Sequence, residues 1–250
     1  SLTPPDWDVD FDALESLFND RTKLIVINTP LNPIGKVFSA DELQKIGALL
    51  EKHDALAVCD EVYEHLIFDE RTHVPLMAQP GMRGRAVRIG SAGKTFSLTG
   101  WKVGYITADR SLAEVIAKAH QFVTFTTLPA TQQAVAEGLQ AEQVYFDTLA
   151  ADLQAKRNRL HKGLAGAGFD VLACDGTYFL TVGFRGLGFT GSDFDFCCRL
   201  TEEAGVTAVP LSAFYAGPEE SKSYDYMRFC FAKEDAVLDE AIKRLSLIHI

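Results

Sequence analysis

Residues 23–60 read KLIVINTPLNPIGKVFSADELQKIGALLEKHDALAVCD, and three patterns succeed one another within them. Lys23 to Asn28 is a short apolar run rich in β-branched residues, which is the composition of a strand. A turn with two prolines follows, and Ser39 then opens the tetrad Ser-Ala-Asp-Glu. There the Ser39 hydroxyl is placed to accept from the backbone of Glu42 while the Glu42 carboxylate reaches back, a capping box that starts a helix. Leu43, Ile46, Gly47 and Leu50 fall at i, i+3, i+4 and i+7 and give that helix one buried face. Ala55 to Cys59 is an uninterrupted apolar run, as expected of a strand covered on both faces. Strand, helix and strand at this spacing predict a parallel pair with a right-handed crossover, the repeating unit of an α/β sheet.

Working outward, Ala86 to Ser91 and Val103 to Thr107 read as two more strands. Ser-Leu-Ala-Glu at Ser111 reads as a second capping box, followed by Leu112, Val115, Ile116 and Ala119 on one face. From Ala130 to Ala167 the pattern is helical and free of proline. Beyond it the texture changes. Short strands (Tyr178 to Phe184, Val206 to Val209, Met227 to Phe231) alternate with helices near 192–204 and 234–245. The expected architecture is α/β: a mainly parallel sheet with helices on both faces over residues 1–150, then a smaller α+β unit over 151–250, hinged on a long helix.

The chain has 250 residues, 47% hydrophobic and 23% charged, which is globular composition. With 34 acidic against 24 basic side chains, the net charge of -10 repels a phosphate backbone and an anionic membrane alike. Nucleic acid and membrane are therefore not expected partners. No apolar run approaches the roughly 18 residues of a membrane span. Residues 1–20 carry neither a basic start nor the apolar core of a secretion signal, so a cytoplasmic protein is expected. Five cysteines (Cys59, Cys174, Cys197, Cys198, Cys230) form no CxxC, and six histidines form no HxxxH. Reduced, buried thiols and no metal are the expectation.

Open parallel sheets bind ligands at the carboxyl ends of their strands. Asn32 follows the first strand, Asp60 ends the second, and Ser91 to Lys94 follow the third. Singly they read as a turn asparagine, a helix cap and a solvated lysine. Together they share one rim. If Asp60 to Leu66 starts a helix, Tyr63 shares a face with Asp60. A lysine amine can form a Schiff base with a carbonyl cofactor, and a carboxylate can keep a pyridine nitrogen protonated. Tyr63 and Asn32 would then bond a ring hydroxylate, and Ser91 and Lys102 a phosphate. That is the chemistry of pyridoxal 5'-phosphate.

At these residues the sequence resembles a fold type I pyridoxal-phosphate aminotransferase of class I/II. The matching text is NTPLNPIGKVFSADEL, VCDEVYEHLIFD, IGSAGKTFSLTGWKVGY, GTYFL, VTAVPLSAFY and MRFCFAK, in the family's order over nearly the whole chain. It looks closest to the kynurenine, glutamine and methionine aminotransferase branch. The resemblance implies that Lys94 is the catalytic lysine, joined to the cofactor and shuttling a proton. It also implies that Asp60 pairs with the pyridine nitrogen, that Asn32 and Tyr63 contact the ring oxygen, and that Ser91 and Lys102 contact phosphate. Arg228 would grip the substrate α-carboxylate, and Phe125 would line a side-chain pocket across a homodimer interface. The substrates implied are an amino acid and a 2-oxo acid. No basic residue stands in QFVTFTTLPAT, where dicarboxylate-specific relatives read a distal carboxylate, so methionine, glutamine or aromatic donors are expected.

The family carries a long segment ahead of the first strand seen here, and an N-terminally truncated chain is the expectation. Three other readings stay open: a carbon-sulfur β-lyase using the same Lys94 and Asp60, a ligand-sensing domain of a regulator, and an inert fragment. Gly186 to Gly191 (GLGFTG) matches GxGxxG, but no acidic residue ends the following strand, so a turn is expected. AGKT lacks the first glycine of a phosphate loop. SAGK lacks the partner motifs of penicillin-recognising enzymes.

Overall fold

The computed structural model describes residues 2–216 and 225–247. His249 and the last three residues of the LSLIHI tail lie outside them. After α1 (Phe11–Ser16), the chain forms β1 (Leu24–Asn28), α2 (Ala40–Lys52), β2 (Leu56–Asp60), β3 (Ala86–Ser91), the single turn α3 (Ala92–Thr95) and β4 (Gly104–Thr107). The strands lie in the order β1-β2-β3-β4. β1, β2 and β3 are mutually parallel, with Asn28 opposite Asp60 and Asp60 opposite Ile89. β4 is antiparallel to β3.

The first unit follows the reading of residues 23–60. Ser39 and Glu42 form the reciprocal capping box, and Leu43, Ile46, Gly47 and Leu50 are all buried. Leu43, Ile46 and Leu50 pack with Ile27, Ala55, Ala57 and Cys59 into one core, each large aliphatic side chain contributing about 1.5–3 kcal/mol by leaving water. β2 is not covered equally on both faces. Ala57 and Cys59 are buried while Leu56, Val58 and Asp60 are half-buried, and on β1 Leu24 and Val26 stay exposed. The run alternates because one face meets α2 and the other is open among the described residues.

Among the described residues, five helices and a second sheet follow: α4 (Arg110–Val123), α5 (Pro129–Gly138), α6 (Gln143–Gly166), β5 (Asp170–Val171), β6 (Phe179–Gly183), α7 (Asp193–Arg199), β7 (Val209–Pro210), β8 (Tyr226–Cys230) and α8 (Asp235–Leu245). The second sheet is antiparallel in the order β5-β6-β8-β7. Position 150 lies inside α6, so a continuous helix joins the two sheets.

Several expectations are corrected. The helical stretch from Ala130 to Ala167 is two helices, broken at residues 139–142. The strand expected at Val206 to Val209 forms only at Val209–Pro210, because a left-handed Gly205 ends the preceding turn of helix and residues 206–208 uncoil from it. Ser111 does not cap α4: Asp109 does, accepting from the Ser111 backbone. The face of Leu112, Val115, Ile116 and Ala119 is not buried, and α4 contributes no buried residue. The expected burial of all thiols fails at Cys198, which is exposed, and at Cys230, which is intermediate; all five are free.

The two sheets meet where the Pro-rich loop passes the start of β6. Gly35 holds φ +74, and a Cβ there would stand 2.8 Å from Cys174 Sγ. Only glycine allows both the left-handed turn and that approach. The second core runs from Leu66 and Phe68 through Leu160, Leu180, Phe184 and Phe196 to Phe231.

Candidate active site

Asp60 ends β2, and its carbonyl accepts from Asn28 Nδ2 at 2.9 Å and from the Thr29 N–H at 3.0 Å. Asn28 Oδ1 in turn accepts from the Asn32 N–H at 2.8 Å. One side chain therefore ties the strand end to the loop that carries Asn32. The expected helix from Asp60 to Leu66 does not form. The Glu61 N–H donates to Ile89 O at 3.0 Å, continuing the sheet ladder, and Leu66 N–H closes a turn onto Tyr63 O at 2.8 Å. Glu61 itself is fully buried and takes Arg88 Nε at 2.6 Å and His73 Nε2 at 2.9 Å on one oxygen, which draws the chain inward instead of around a helix. Tyr63 reaches the site through the turn.

Lys94 lies in α3, immediately beyond β3. Its half-buried amine donates to Tyr178 Oη at 2.9 Å and sits 5.7 Å from the Tyr63 ring centroid and 5.6 Å from that of Tyr178. Tyr63 is buried, and burial followed by the Tyr178 hydroxyl holds its phenol well above the ordinary range; Arg228 pulls the other way and Asp60 adds to the rise. Both charged groups thus act on one phenol. A cleft of 620 Å³ opens beside Lys94 and Tyr178, walled further by Thr99, Lys156 and Lys233.

Arg228 stands on the central strand β8, opposite Thr181 and Val209. Its Nη1 donates to Asn32 Oδ1 at 2.7 Å, which leaves Asn32 Nδ2 as that amide's donor. The guanidinium lies 3.9 Å from the Phe179 ring centroid and 5.0 Å from that of Phe214, an aromatic setting suited to a planar cation. Burial lowers its pKa from the usual arginine value. Among the described residues its buried Nε has no hydrogen-bond partner, and an unpaired donor beside an open fork is what a carboxylate ligand would satisfy.

The structure gathers Asn32, Asp60, Tyr63, Lys94 and Arg228. Ser91 stands at the end of β3 as the N-cap of α3, its hydroxyl making no capping bond. Lys102 is exposed, in the left-handed conformation (φ 55) at the end of a short 3-10 turn. Phe125 lies apart: it is 77% exposed and borders a groove with Tyr105 and Ile116. Sequence reasoning missed Asn28, Tyr178, Phe179 and Phe214. Tyr178, Phe179 and Phe214 stand in GTYFL and LSAFY, but a strand start and a single 3-10 turn carry no periodicity to single them out.

No helix of the described residues is long and apolar enough to cross a membrane. The family profile "Aminotransferase class I and II" matches residues 2–245. The chain is 38% identical over 245 residues to a methionine aminotransferase of Escherichia coli (strain K12), covering 98% of this chain and 62% of that one. It is 39% identical to a kynurenine–oxoglutarate transaminase of Dictyostelium discoideum, covering 94% and 58%. The N-succinyldiaminopimelate aminotransferase structure from Mycobacterium tuberculosis superposes with a TM-score of 0.93 at 39% identity, covering 97% of this chain and 63% of that one. The chain therefore spans about three fifths of the relatives it matches.

Proposed function

The chain belongs to the class I and II aminotransferases, and on that premise we propose that it is the cofactor-holding part of a pyridoxal-phosphate-dependent transaminase. The observation that carries the proposal is the half-buried Lys94 amine beside Tyr63 and Tyr178, on the rim that Asp60 and Asn32 share, with the unsatisfied Arg228 fork across from it. The donor set fits the cofactor: an amine, a carboxylate, hydroxyls and cations are the groups its aldehyde, ring nitrogen, ring hydroxyl and phosphate would meet. When bound, pyridoxal 5'-phosphate supplies an aldehyde for amines and a ring that accepts the electron pair left at a substrate α-carbon.

The protein's own contributions follow from its residues. Lys94 offers the amine that holds the aldehyde and, once released, moves a proton from the substrate α-carbon. Asp60 keeps the ring nitrogen protonated. Asn32 Nδ2 and the Tyr63 hydroxyl, which stays protonated, donate to the ring oxygen. Ser91 and Lys102 take the phosphate by hydroxyl and charge. Arg228 binds the substrate carboxylate as a fork, and Phe125, which stands apart from this site, lines the side-chain pocket of a second copy across a homodimer interface. Residues 1–150 would form the large domain and 151–250 the small one.

The absence of a basic residue from QFVTFTTLPAT supports methionine, glutamine or aromatic donors, and the methionine and kynurenine–oxoglutarate named in the relatives support the methionine and aromatic members of that class with a 2-oxo acid acceptor. The exposed Phe122, Val123, Phe125 and Leu128 support a homodimer. Free thiols suit a reducing compartment such as the cytoplasm.

The test is an absorbance spectrum with added pyridoxal phosphate, before and after borohydride, for the native chain and Lys94→Ala. A band trapped covalently on the native chain alone is expected; an equal adduct on both would sink the assignment. In the full-length enzyme, turnover of aspartate comparable to that of methionine would overturn the donor class.

A further inference from the structure

We propose that Tyr178 is the positioning residue for Lys94, holding its amine at one place whenever that amine is not covalently engaged. The inference rests on the reading of Lys94 given above, and it adds a residue to which that reading assigned no part.

The contact crosses the molecule. Lys94 belongs to the first sheet's rim, whereas Tyr178 immediately precedes β6 of the second sheet, so the Nζ–Oη bond of 2.9 Å spans the junction of the two units. Tyr178 is itself firmly delivered. Its carbonyl accepts from the Phe231 N–H at 3.0 Å, and the preceding Thr177 donates its N–H to Leu66 O at 2.9 Å. The Thr177 hydroxyl accepts from the Phe179 N–H at 3.1 Å. Thr177 is fully buried and holds φ 72, a left-handed conformation uncommon for a β-branched residue and sustained only by surrounding contacts. The Tyr178 ring stands edge-on to Tyr63, 5.2 Å between centroids, and tilted on Phe179 at 4.6 Å.

Lysine has a long, freely rotating stem, and the Lys94 amine borders a cleft of 620 Å³ into which it would otherwise swing. A fixed acceptor selects one orientation from many, and orientation is a large part of the rate of bond formation between bound groups. The Tyr63 ring centroid lies 5.7 Å from the same amine.

The experiment compares the native chain with Tyr178→Phe, which keeps the ring and its contacts and deletes the hydroxyl. Imine formation with pyridoxal phosphate is followed by stopped-flow absorbance. In parallel, reductive methylation of Lys94 by formaldehyde with cyanoborohydride as the hydride donor is followed by mass spectrometry. A reagent that must be met in one orientation should react about tenfold more slowly with the variant, while formaldehyde, which can approach from any side, should label Lys94 at least as fast. Equal rates with pyridoxal phosphate would overturn the proposal. Equal slowing with both reagents would overturn it too, because that reports lost access and not lost orientation. A native chain that forms no adduct at Lys94 would instead bring down the function proposed above, and this inference with it.

Discussion

Arg228 is held by shape as much as by charge. Its plane lies against Phe179 while one nitrogen is spent on Asn32, leaving the rest of the fork for a ligand. Lysine in its place keeps the positive charge but loses the flat face and the paired donors. In the full-length enzyme, Arg228→Lys is expected to raise KM for the amino acid about tenfold or more with a smaller change in kcat, the pattern of lost ground-state binding. Steady-state kinetics on one donor checks this; a fall in kcat with KM unchanged would contradict a carboxylate-binding role. Asp60 and Lys94 were singled out in the sequence by residue type and placement at strand ends, whereas Arg228, in the middle of β8, entered only through the resemblance. Asn28 and Tyr178 were not singled out. Asn28 matters through two hydrogen bonds that join a strand to the loop after it, and Tyr178 meets Lys94 from 84 positions away. The Asn28–Asp60 and Lys94–Tyr178 contacts are long-range, and the short step from Asn28 to Asn32 carries no pattern that marks it.

The two Ser-x-x-Glu tetrads show what a helix start depends on. At Ser39 the box closes: the Ser39 N–H donates to Glu42 Oε2 at 2.8 Å, Glu42 N–H returns to Ser39 Oγ at 3.2 Å, and Lys36 pins the other carboxylate oxygen at 2.9 Å. At Ser111 the glutamate is taken elsewhere, since Arg110 Nε binds Glu114 at 2.7 Å, and Asp109, two positions earlier, accepts the Ser111 N–H at 3.0 Å. A shorter side chain nearer the helix start wins the cap. Ser39→Ala should therefore cost about 1 kcal/mol in urea denaturation, and Ser111→Ala no more than about 0.5 kcal/mol. Equal losses would mean that the motif and not the cap sets stability. Periodicity over α2 and the strand run of β1 sufficed to read the parallel core. The Asp60 to Leu66 turn escaped because a buried ion pair with Arg88 and a ladder bond to Ile89 outcompete local helix propensity,.

At the scale of the whole molecule, both cores carry thiols that burial pushes far up. Cys59, in the core of the first sheet, and Cys174 and Cys197, in that of the second, are each raised from 9.0 to about 12. The folded state favours the protonated thiol, whereas an unfolded chain would release those protons near pH 9. The stabilisation is therefore complete below pH 9 and is lost as the pH climbs from there towards 12. Tyr63, raised by burial in the same sense, works in the same direction. The urea midpoint should hold level up to about pH 8.5 and then fall steadily, with fluorescence and circular dichroism moving together because neither core is spared. Alkylation at pH 8 should proceed first at the exposed Cys198, then at the half-buried Cys230, and at the other three only after denaturant is added. A midpoint flat to pH 11, or rapid modification of Cys174 in the native chain, would show that these thiols are not confined as the two cores confine them here.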